Sequence, residues 1–580
     1  MSGLNCSLET RGLLIVVVLV FSISFPAEIS AHAQQINGSA PDDQQLKAVS
    51  DEPPDLKSYW RPAIPGDYFP LGRPAILPKG IPVGVPLVYL IDTVVFNTDP
   101  TLENNNTCND GEPSIAINPD NLAEIVITAF SGYWGGASPL FQSTNGGSIW
   151  TKQRSIPIPP GIPLIPLRIT NPEEAGVPSA GDEEEINKCT PREEVGIAGP
   201  TDQTVDFQSG AGGLLSGTFL AVDGNIYSGT TVNPALRNQW DWTTNAGLAV
   251  RTNCAPGVGC TAIGNVDQPW LLVDRQPAPG TLENVYVAYD DFTVNPVETR
   301  VAVSLGQNFL NFMTDEMTGT STGGGINPGH RLAVDPSTGT VYSLFQQCAA
   351  NCAGDPKFIA YVLNRSTDGG MTWPLELSNN GCDDNGGGGP CIVVKANSTQ
   401  PDPKFCGVNA LLGGVDHIAV DPQNSDVYIV YGDQDAVGNN RLSIVRLGPN
   451  GTGGLKITGG PNLVTTTLPV DAALPSVAVA NDANHTVAVL YDTCDDPGGP
   501  TISAHIAFST DRGDTFQDVL LQDFLSPSGD DGDDLQRVLG DYQQLKAVGP
   551  NFFGVFSANG VPFGRPTAHI DPIYVTTLHP

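Results

Sequence analysis

The chain has 580 residues, and 62 Asp and Glu against 27 Lys and Arg give a formal net charge of -35 at pH 7. Nucleic acids and anionic membranes bind clustered Lys and Arg, so neither is an expected partner. With 65 Gly, 50 Pro and 15% charged residues, the composition is typical of many short strands joined by turns rather than of helices.

The N-terminal residues carry the pattern of a secretory signal. Arg11 precedes an apolar run from Leu13 to Phe21, and Ala31-His-Ala33 supplies a small-x-small cleavage site. The apolar run is shorter than the ~20 residues that a membrane-spanning helix needs. We therefore expect residues 1–33 to be removed and the mature protein to be secreted, extracellular or periplasmic, without membrane insertion. Residues 34–86, rich in Pro and polar side chains, predict an extended or disordered leader.

The cysteines fit an oxidising compartment. Removal of the signal takes Cys6 with it and leaves ten of the eleven cysteines. Three pairs are close in sequence and can pin loops as disulfides: Cys254 with Cys260, Cys348 with Cys352, and Cys382 with Cys391. The competing zinc site lacks support, because there is no Cys-x-x-Cys and the histidines are scattered.

An eight-residue turn is repeated along the chain. Its hydroxyl and Asp or Asn side chains can bond the backbone of a hairpin turn, glycine accepts a positive φ, and the closing aromatic packs into a sheet. A degenerate copy at 243–250 lacks the aromatic. The three closer copies are Ser143, Asn145, Gly147 and Trp150; Ser366, Asp368, Gly370 and Trp373; and Ser509, Asp511, Gly513 and Phe516.

A second repeat runs in phase with these turns. An apolar, alanine-containing strand, a tight Asn- or Asp-containing turn and a second strand recur, with inner strands near residues 115, 219, 271, 332, 418, 477 and 545. The spacing predicts an all-β, six- or seven-bladed β-propeller of four-stranded antiparallel sheets over residues 87–580. The strand-like segment from Leu87 to Phe96 can complete the last blade and close the ring.

The repeated turn is similar to the Asp-box, or bacterial neuraminidase repeat, and residues 87–580 resemble the sialidase-like propeller superfamily. The resemblance implies Asp-box turns between the third and fourth strands of a blade, where they are structural. It also implies an exo-glycosidase with an arginine triad, a tyrosine nucleophile and carboxylates. The family's Arg-Ile-Pro motif is not matched in both sequence and place, and Arg331 and Arg441 are the candidates for clamp members.

Candidate site residues precede the inner strands, where the mouth of an axial channel is expected. They are Glu112, Asp267, Asp541 and Tyr542 as candidate catalytic groups, and His330, Arg331, Asp416, His417 and Arg441 as candidate substrate-binding groups; Ser476 occupies a similar position. Two carboxylates across a channel can run acid/base chemistry on a glycosidic bond. The alternative is that these residues cap strand ends or bond neighbouring blades.

The acidic run Asp530, Asp531 and Asp533 offers closely spaced oxygen ligands that suit calcium, although it departs from the twelve-residue loop pattern and can equally be a solvated loop. No other cofactor is expected. The sequence thus leaves two functions open. One is a monomeric secreted propeller that acts on or binds carbohydrate or a glycoconjugate, as a glycoside hydrolase if it is an enzyme. The other is a non-catalytic propeller that binds protein or polysaccharide.

Overall fold

The structure is a computed structural model, and the part of the chain that it describes belongs to one compact unit, Pro53–Pro580. No helix within that part is long and apolar enough to cross a membrane. The described residues are 85–99, 102, 109–131, 139–153, 156, 202–208, 213–220, 225–234, 240–242, 266–274, 283–305, 310–321, 328–352, 358–396, 404–405, 408–409, 416–434, 440–465, 471–494, 501–525, 539–566 and 569–578.

Seven antiparallel sheets form the blades of a β-propeller, which confirms the predicted fold class and sets the blade number at seven. Blades 1 to 3, each from the innermost strand outward, are β2 (Asp110–Ile117), β3 (Ile125–Ser131), β4 (Leu140–Ser143) and β5 (Thr151–Gln153); β6 (Gln203–Phe207), β7 (Leu215–Leu220), β8 (Ile226–Thr231) and β9 (Asp241–Trp242); and β10 (Val266–Asp274), β11 (Asn284–Asp291), β12 (Val297–Ser304) and β13 (Phe312–Ser321).

Blades 4 and 5 depart from the regular order of four consecutive strands. A hairpin that follows the third strand of blade 4 pairs with the outer edge of blade 5. Blade 4 contains β14 (Arg331–Asp335), β15 (Thr340–Ala350), β16 (Phe358–Ser366) and β19 (Ile392–Lys395). Blade 5 contains β22 (Asp416–Val420), β23 (Val427–Gln434), β24 (Asn440–Pro449) and β25 (Leu455–Leu463), extended by β18 (Gly381–Asp384) and β17 (Leu375–Ser378). A separate two-stranded ribbon pairs β20 (Lys404–Phe405) with β21 (Val408–Asn409).

The last two blades complete the ring. Blade 6 contains β26 (Asp471–Val479), β27 (Val487–Cys494), β28 (Thr501–Ser509) and β29 (Gln517–Leu525), and blade 7 contains β30 (Gln544–Val548), β31 (Asn551–Asn559), β32 (Ile570–Leu578) and β1 (Leu87–Asp92). A short 3-10 helix, Val561–Phe563, lies between β31 and β32.

Strand β1 closes the ring by pairing with β32 over its whole length, from Leu87 opposite Leu578 to Asp92 opposite Ile573. This confirms the predicted use of the segment that begins at Leu87. The innermost strands then contact one another in the cyclic order β2, β6, β10, β14, β22, β26 and β30. Because the first residues of these seven strands lie at one end of the axis, their side chains meet there.

The prediction for the second unit was wrong in one detail. The innermost strand of blade 2 is Gln203–Phe207, and Phe219 lies in the second strand, Leu215–Leu220. The inner strand carries Thr204 and Asp206 where the other units have Ala-containing apolar runs, so it does not match the repeat. Its core is nevertheless apolar, since Val205 and Phe207 are fully buried.

The three repeated turns connect the third and fourth strands of blades 1 and 6 and follow the third strand of blade 4. In each turn the Ser hydroxyl donates to the Asp or Asn side chain and accepts from the glycine N–H. In the copy at Ser366, these distances are 2.7 Å to Asp368 Oδ1 and 2.8 Å from Gly370 N, and Thr372 N and Oγ1 also donate to Asp368. Partial burial alone would raise the pKa of Asp368, but these donors outweigh it and lower the pKa.

The glycine of each turn packs against a tyrosine of the preceding blade. A Cβ on Gly147 would lie 2.2 Å from Tyr574, and one on Gly370 would lie 2.6 Å from Val303 and 3.2 Å from Tyr286. The turns therefore fasten neighbouring blades together at their outer parts, far from the axis. The degenerate copy at 243–250 lies outside the described residues.

Two of the three predicted short disulfides are confirmed. Cys348 bonds to Cys352 and Cys382 bonds to Cys391. The second bridge braces the hairpin β17–β18 that extends blade 5. Cys254 and Cys260, the predicted signal peptide 1–33 and the leader up to residue 84 lie outside the described residues.

Candidate functional site

Three inner strands begin with the same backbone device. Glu112, Gln268 and Leu474 each precede a proline and have φ values of 47°, 52° and 53°. Each sits in a bulge of the pairing between the first and second strands. A positive φ costs a non-glycine residue about 1–2 kcal/mol, so the surrounding contacts must hold it. The device turns these side chains toward the neighbouring blades at the end of the axis.

One side chain per blade forms what we call the axial ring. Its members are Ser114, Thr204, Trp270, Arg331, His417, Ser476 and Gln544. Five of them accept a hydrogen bond from a backbone N–H of the next blade: Ser114 from Val205 (3.0 Å), Thr204 from Leu271 (2.7 Å), His417 from Val477 (3.3 Å), Ser476 from Leu545 (2.8 Å) and Gln544 from Ile115 (2.9 Å). These bonds connect the inner strands of neighbouring blades. For Ser476 and His417, this is the role in the alternative interpretation, in which the residues bond neighbouring blades.

The axial ring is interrupted at blades 3 and 4, where Trp270 and Arg331 replace the small or planar polar acceptors. The Arg331 guanidinium lies 4.6 Å from the Trp270 ring centre and 5.7 Å from that of Tyr542. Its Nη1 donates to Gln268 Oε1 (3.2 Å) and to the backbone oxygen of His330 (3.1 Å). Arg331 is only 2% exposed, so the interruption is filled by a buried cation stacked on aromatic rings.

Tyr542 contacts this cation, Asp541 is connected to it through Gln268, and Glu112 bonds Asp541; all three are buried. Asp541 Oδ2 accepts from Gln268 Nε2 at 2.8 Å, and its backbone N–H donates to Glu112 Oε1 at 3.2 Å. The Tyr542 hydroxyl donates to Gln203 O (2.8 Å) and accepts from Gln203 N (2.9 Å). Burial and the Glu112 charge raise the pKa of Tyr542 well above its usual value. These contacts are those of a packing side chain rather than of an activated nucleophile.

A pair of carboxylates lies across the first two strands of blade 3. Asp267 on β10 is directly opposite Asp290 on β11, an arrangement that places two like charges on one face of a sheet and destabilises it when both are ionised. Asp290 is fully buried, and neither of its carboxylate oxygens has a hydrogen-bond partner. Asp267 is partly exposed. The solvent-facing and the buried carboxylates therefore form a site with two different environments.

The charge state of this region follows from burial. Burial, with the charges of Asp267 and Asp416, raises the pKa of Asp290 well above its usual value, although Arg331 opposes the shift. Burial likewise raises the pKa of Asp416 to about 8 against the opposing effect of Arg331. One Asp416 oxygen accepts from Gln346 Nε2 at 3.0 Å. Asp416 is therefore mostly protonated at neutral pH, and the shift of Asp290 favours its protonated form in the same way.

The two histidines at this end are neutral. Burial lowers the pKa of His330 and of His417 to about 3. His330 Nε2 lies 2.7 Å from Ser343 Oγ, and His417 stacks edge-on against Trp270 at 5.5 Å. Arg441 lies apart from Arg331, at the start of β24 and opposite Asp433 of β23. The structure thus brings Arg331, His417, Asp416 and the candidate carboxylates together, whereas Arg441 belongs to the rim.

No group of three or more His, Cys, Asp or Glu side chains among the described residues has the geometry of a metal site. The calcium prediction for Asp530, Asp531 and Asp533 falls on residues outside the described part. The calcium site therefore stays a prediction.

Sequence reasoning missed Asp290. It ends the string Tyr289-Asp290 in the second strand of blade 3, and Tyr491-Asp492 occupies the corresponding place in blade 6, where Asp492 is opposite Ala473. Burial raises the pKa of Asp492 as well. A sequence signal for this pair exists: an aspartate follows the tyrosine of the second strand, and another aspartate begins the first strand of the same blade.

No protein-family profile and no curated protein matches the chain. Similar solved structures include an α-L-arabinanase from Cellvibrio cellulosa in complex with arabinohexaose (13% identity over 60% of this chain and 95% of the other, TM-score 0.29). They also include a six-bladed fucose-binding lectin from Aleuria aurantia (10%, 62% and 88%, 0.32) and a Trypanosoma rangeli sialidase mutant with trans-sialidase activity (12%, 64% and 53%, 0.32).

Proposed function

We propose that the protein is a secreted, sialidase-like propeller of the Asp-box class that hydrolyses glycosidic bonds at the interrupted side of the axial ring. The observation that carries this proposal is the cross-strand pair of Asp267 and Asp290 beside the buried Arg331. A folded protein tolerates two opposed carboxylates at a cost, and such costs concentrate at functional sites.

Glycoside hydrolysis needs a carboxylic acid that protonates the leaving oxygen and a carboxylate that activates water or attacks the sugar. Burial raises the pKa of Asp290, which favours its protonated form. Sharing that proton makes the partly exposed Asp267 the acid that meets the substrate. Asp541, held by Gln268 at 2.8 Å, is the carboxylate member of the reaction.

The surrounding residues are positioning groups in this proposal. The Arg331 charge limits the rise in the pKa values of Asp290 and Asp416. Glu112 fixes the backbone of Asp541, and Tyr542 packs under the guanidinium of Arg331. His330 and His417 are buried and position the residues that contact the substrate, and Arg441 contacts the substrate from the rim.

The test is turnover of a panel of oligosaccharides and sialosides by the purified protein and three variants. We expect Asp267→Asn and Asp541→Asn to reduce turnover at least about 100-fold, the usual contribution of acid/base catalysis. Asp492→Asn is the matched control, because it removes a buried carboxyl at the corresponding place in blade 6 and should keep full turnover. Turnover that survives Asp267→Asn would refute the site assignment.

The second candidate is a non-catalytic propeller that binds polysaccharide or protein. It is favoured by the internal use of Tyr542, whose hydroxyl is saturated by the Gln203 backbone. Binding of a glycan from the same panel without any turnover, lost in Asp267→Asn, would decide for this candidate.

A further inference from the structure

The ring is closed by β1, and a group of buried charged side chains lies at the end of this strand. Asp92 is the last residue of β1, and Asp571 is the second residue of its partner β32. Arg565 precedes β32, and Asp110 begins β2 of blade 1. These four side chains, which we call the closure cluster, belong to residues that are at most 3% exposed. They come from both sides of the junction between the last blade and the first.

Three members of the closure cluster meet beside Gly560. A Cβ at this glycine would lie 2.3 Å from Asp92 Oδ2, 2.7 Å from Asp571 Oδ2 and 2.9 Å from Arg565 Cδ. Arg565 forms an ion pair with Asp571. Asp92 Oδ1 accepts from two backbone N–H groups of the following turn, at 2.8 and 2.9 Å, whereas its Oδ2 has no hydrogen-bond partner. The Asp92 carboxyl is therefore only half satisfied by donors in a place that water does not reach.

The closure cluster contains more carboxyls than cations. Its three aspartates share the guanidinium of Arg565, and Lys152 adds a second positive charge at the edge, 3.8 Å from Asp110 Oδ2. Full ionisation leaves one negative charge in excess, and an unpaired charge in a buried place is strongly unfavourable. One bound proton removes this excess. The pKa of Asp92 agrees with the charge count, since burial raises it to about 6, with the Asp110 charge adding to the shift and Arg565 opposing it.

We propose that the closure cluster is a pH-controlled latch on the ring, which holds β1 against β32 while it keeps its proton and lets the two strands separate more often once the proton is lost. Separation of β1 exposes Asp92 to water, where a carboxyl ionises at a lower pH than it does in a buried place. The closed ring therefore binds the proton more tightly than the open ring, so acid favours closure. The opening is local, because the inner strands of blades 2 to 6 keep their own contacts.

The size of the effect follows from the titration of Asp92 in the two states. Its pKa is about 6 in the closed ring and 3.8 when the carboxyl is exposed. The ratio of open to closed ring then increases about tenfold between pH 5 and pH 8, and most of this increase occurs below pH 7. The ring is thus closed most firmly in mildly acidic surroundings.

Hydrogen–deuterium exchange of the full-length protein at pH 5, 6, 7 and 8 measures this opening. After correction for the intrinsic exchange rate, the protection factors of the β1 amides, Leu87–Asp92, should fall about tenfold from pH 5 to pH 8. They should also be lower than those of β7 in blade 2, Leu215–Leu220, because local opening needs less free energy than global unfolding. Equal protection factors in the two strands at every pH would overturn the local opening.

Three variants identify the group that titrates. Asp92→Asn keeps the shape of the side chain but cannot ionise, so the protection of β1 should no longer depend on pH. Asp110→Asn removes a neighbouring negative charge and should move the loss of protection to lower pH. Asp492→Asn is the matched control, because it alters a buried carboxyl in blade 6, and the tenfold fall in β1 should remain.

Two results would overturn the latch: wild-type β1 protection that stays constant from pH 5 to pH 8, or a fall that persists in Asp92→Asn. If Asp92→Asn does not fold, Asp110→Asn decides in its place. A loss of protection at the same pH as in the wild type would then show that the closure cluster does not control the opening.

Discussion

Replacing Arg331 with methionine removes the cation at the centre of the proposed site while retaining most of the side-chain volume. The guanidinium is 2% exposed, lies 4.6 Å from the Trp270 ring and donates to Gln268 and to His330 O. A desolvated cation–π contact contributes about 2 kcal/mol, and a buried acceptor that loses its donor costs about 1–3 kcal/mol. The relief of burying a charge offsets part of this, so we expect a net loss of about 3 kcal/mol.

Asp290 and Asp416 do not increase the loss of stability that Arg331→Met causes. Burial raises the pKa of Asp416 to about 8, so this carboxyl is mostly protonated at pH 7, and it shifts the pKa of Asp290 in the same direction. Removal of Arg331 therefore leaves little negative charge behind. With an unfolding entropy of roughly 1 kcal/mol per kelvin for about 490 residues, a loss of ~3 kcal/mol lowers Tm by about 3 °C.

Differential scanning calorimetry at pH 7 measures this shift. Lys456→Met is the control, because it removes the same charge from an exposed position on β25 and should change stability by less than about 0.5 kcal/mol. A loss below about 1 kcal/mol for Arg331→Met would refute the reasoning, since it would mean that the cation contributes nothing to the packing of the axial ring.

Ser476→Ala removes the acceptor of Leu545 N between blades 6 and 7 and should cost about 1–3 kcal/mol in urea unfolding; an unchanged midpoint would contradict the stitching role. Gly370→Ala combines φ +86° with a Cβ 2.6 Å from Val303, so Tm should fall, and an unchanged Tm would exclude tight packing of this turn. Burial raises the pKa of Asp92 from 3.8 to about 6, so the folded state binds this proton more tightly than the unfolded state. The free energy of unfolding is therefore highest below pH 3.8 and falls as the pH rises to 6. Asp92→Asn should therefore flatten the stability curve between pH 4 and 7, and a parallel curve would contradict the shift.

The repeat pattern was enough to predict the propeller because its signals are local. A Ser-x-Asp-x-Gly turn and an alternating strand can be recognised within ten residues, and Leu87–Asp92 reads as a strand without a partner. Blade 2 escaped this reasoning since Thr204 and Asp206 interrupt the apolar pattern. Only the contacts with blades 1 and 3 identify Gln203–Phe207 as an innermost strand.

The site was less accessible to sequence reasoning because its contacts are distant along the chain. Tyr542 bonds the backbone of Gln203, 339 residues away, and Gln268 bonds Asp541, 273 residues away. Sequence alone placed Asp267, Arg331 and Asp416 at the axis. It did not show that Ser476 bonds the backbone of the next blade. It also did not identify Asp290, because a Tyr-Asp string does not reveal that the carboxyl is buried.

The pH dependence of kcat/KM on the best glycan of the panel tests the central claim most directly, measured for the wild type, Asp290→Asn and Asp492→Asn. If Asp267 and Asp290 share one proton that the pair holds at neutral pH, Asp290→Asn moves the descending alkaline limb to lower pH, because Asp267 then titrates without a neighbouring carboxyl. Asp492→Asn should leave the profile unchanged. An alkaline limb that stays in place in Asp290→Asn would contradict the account.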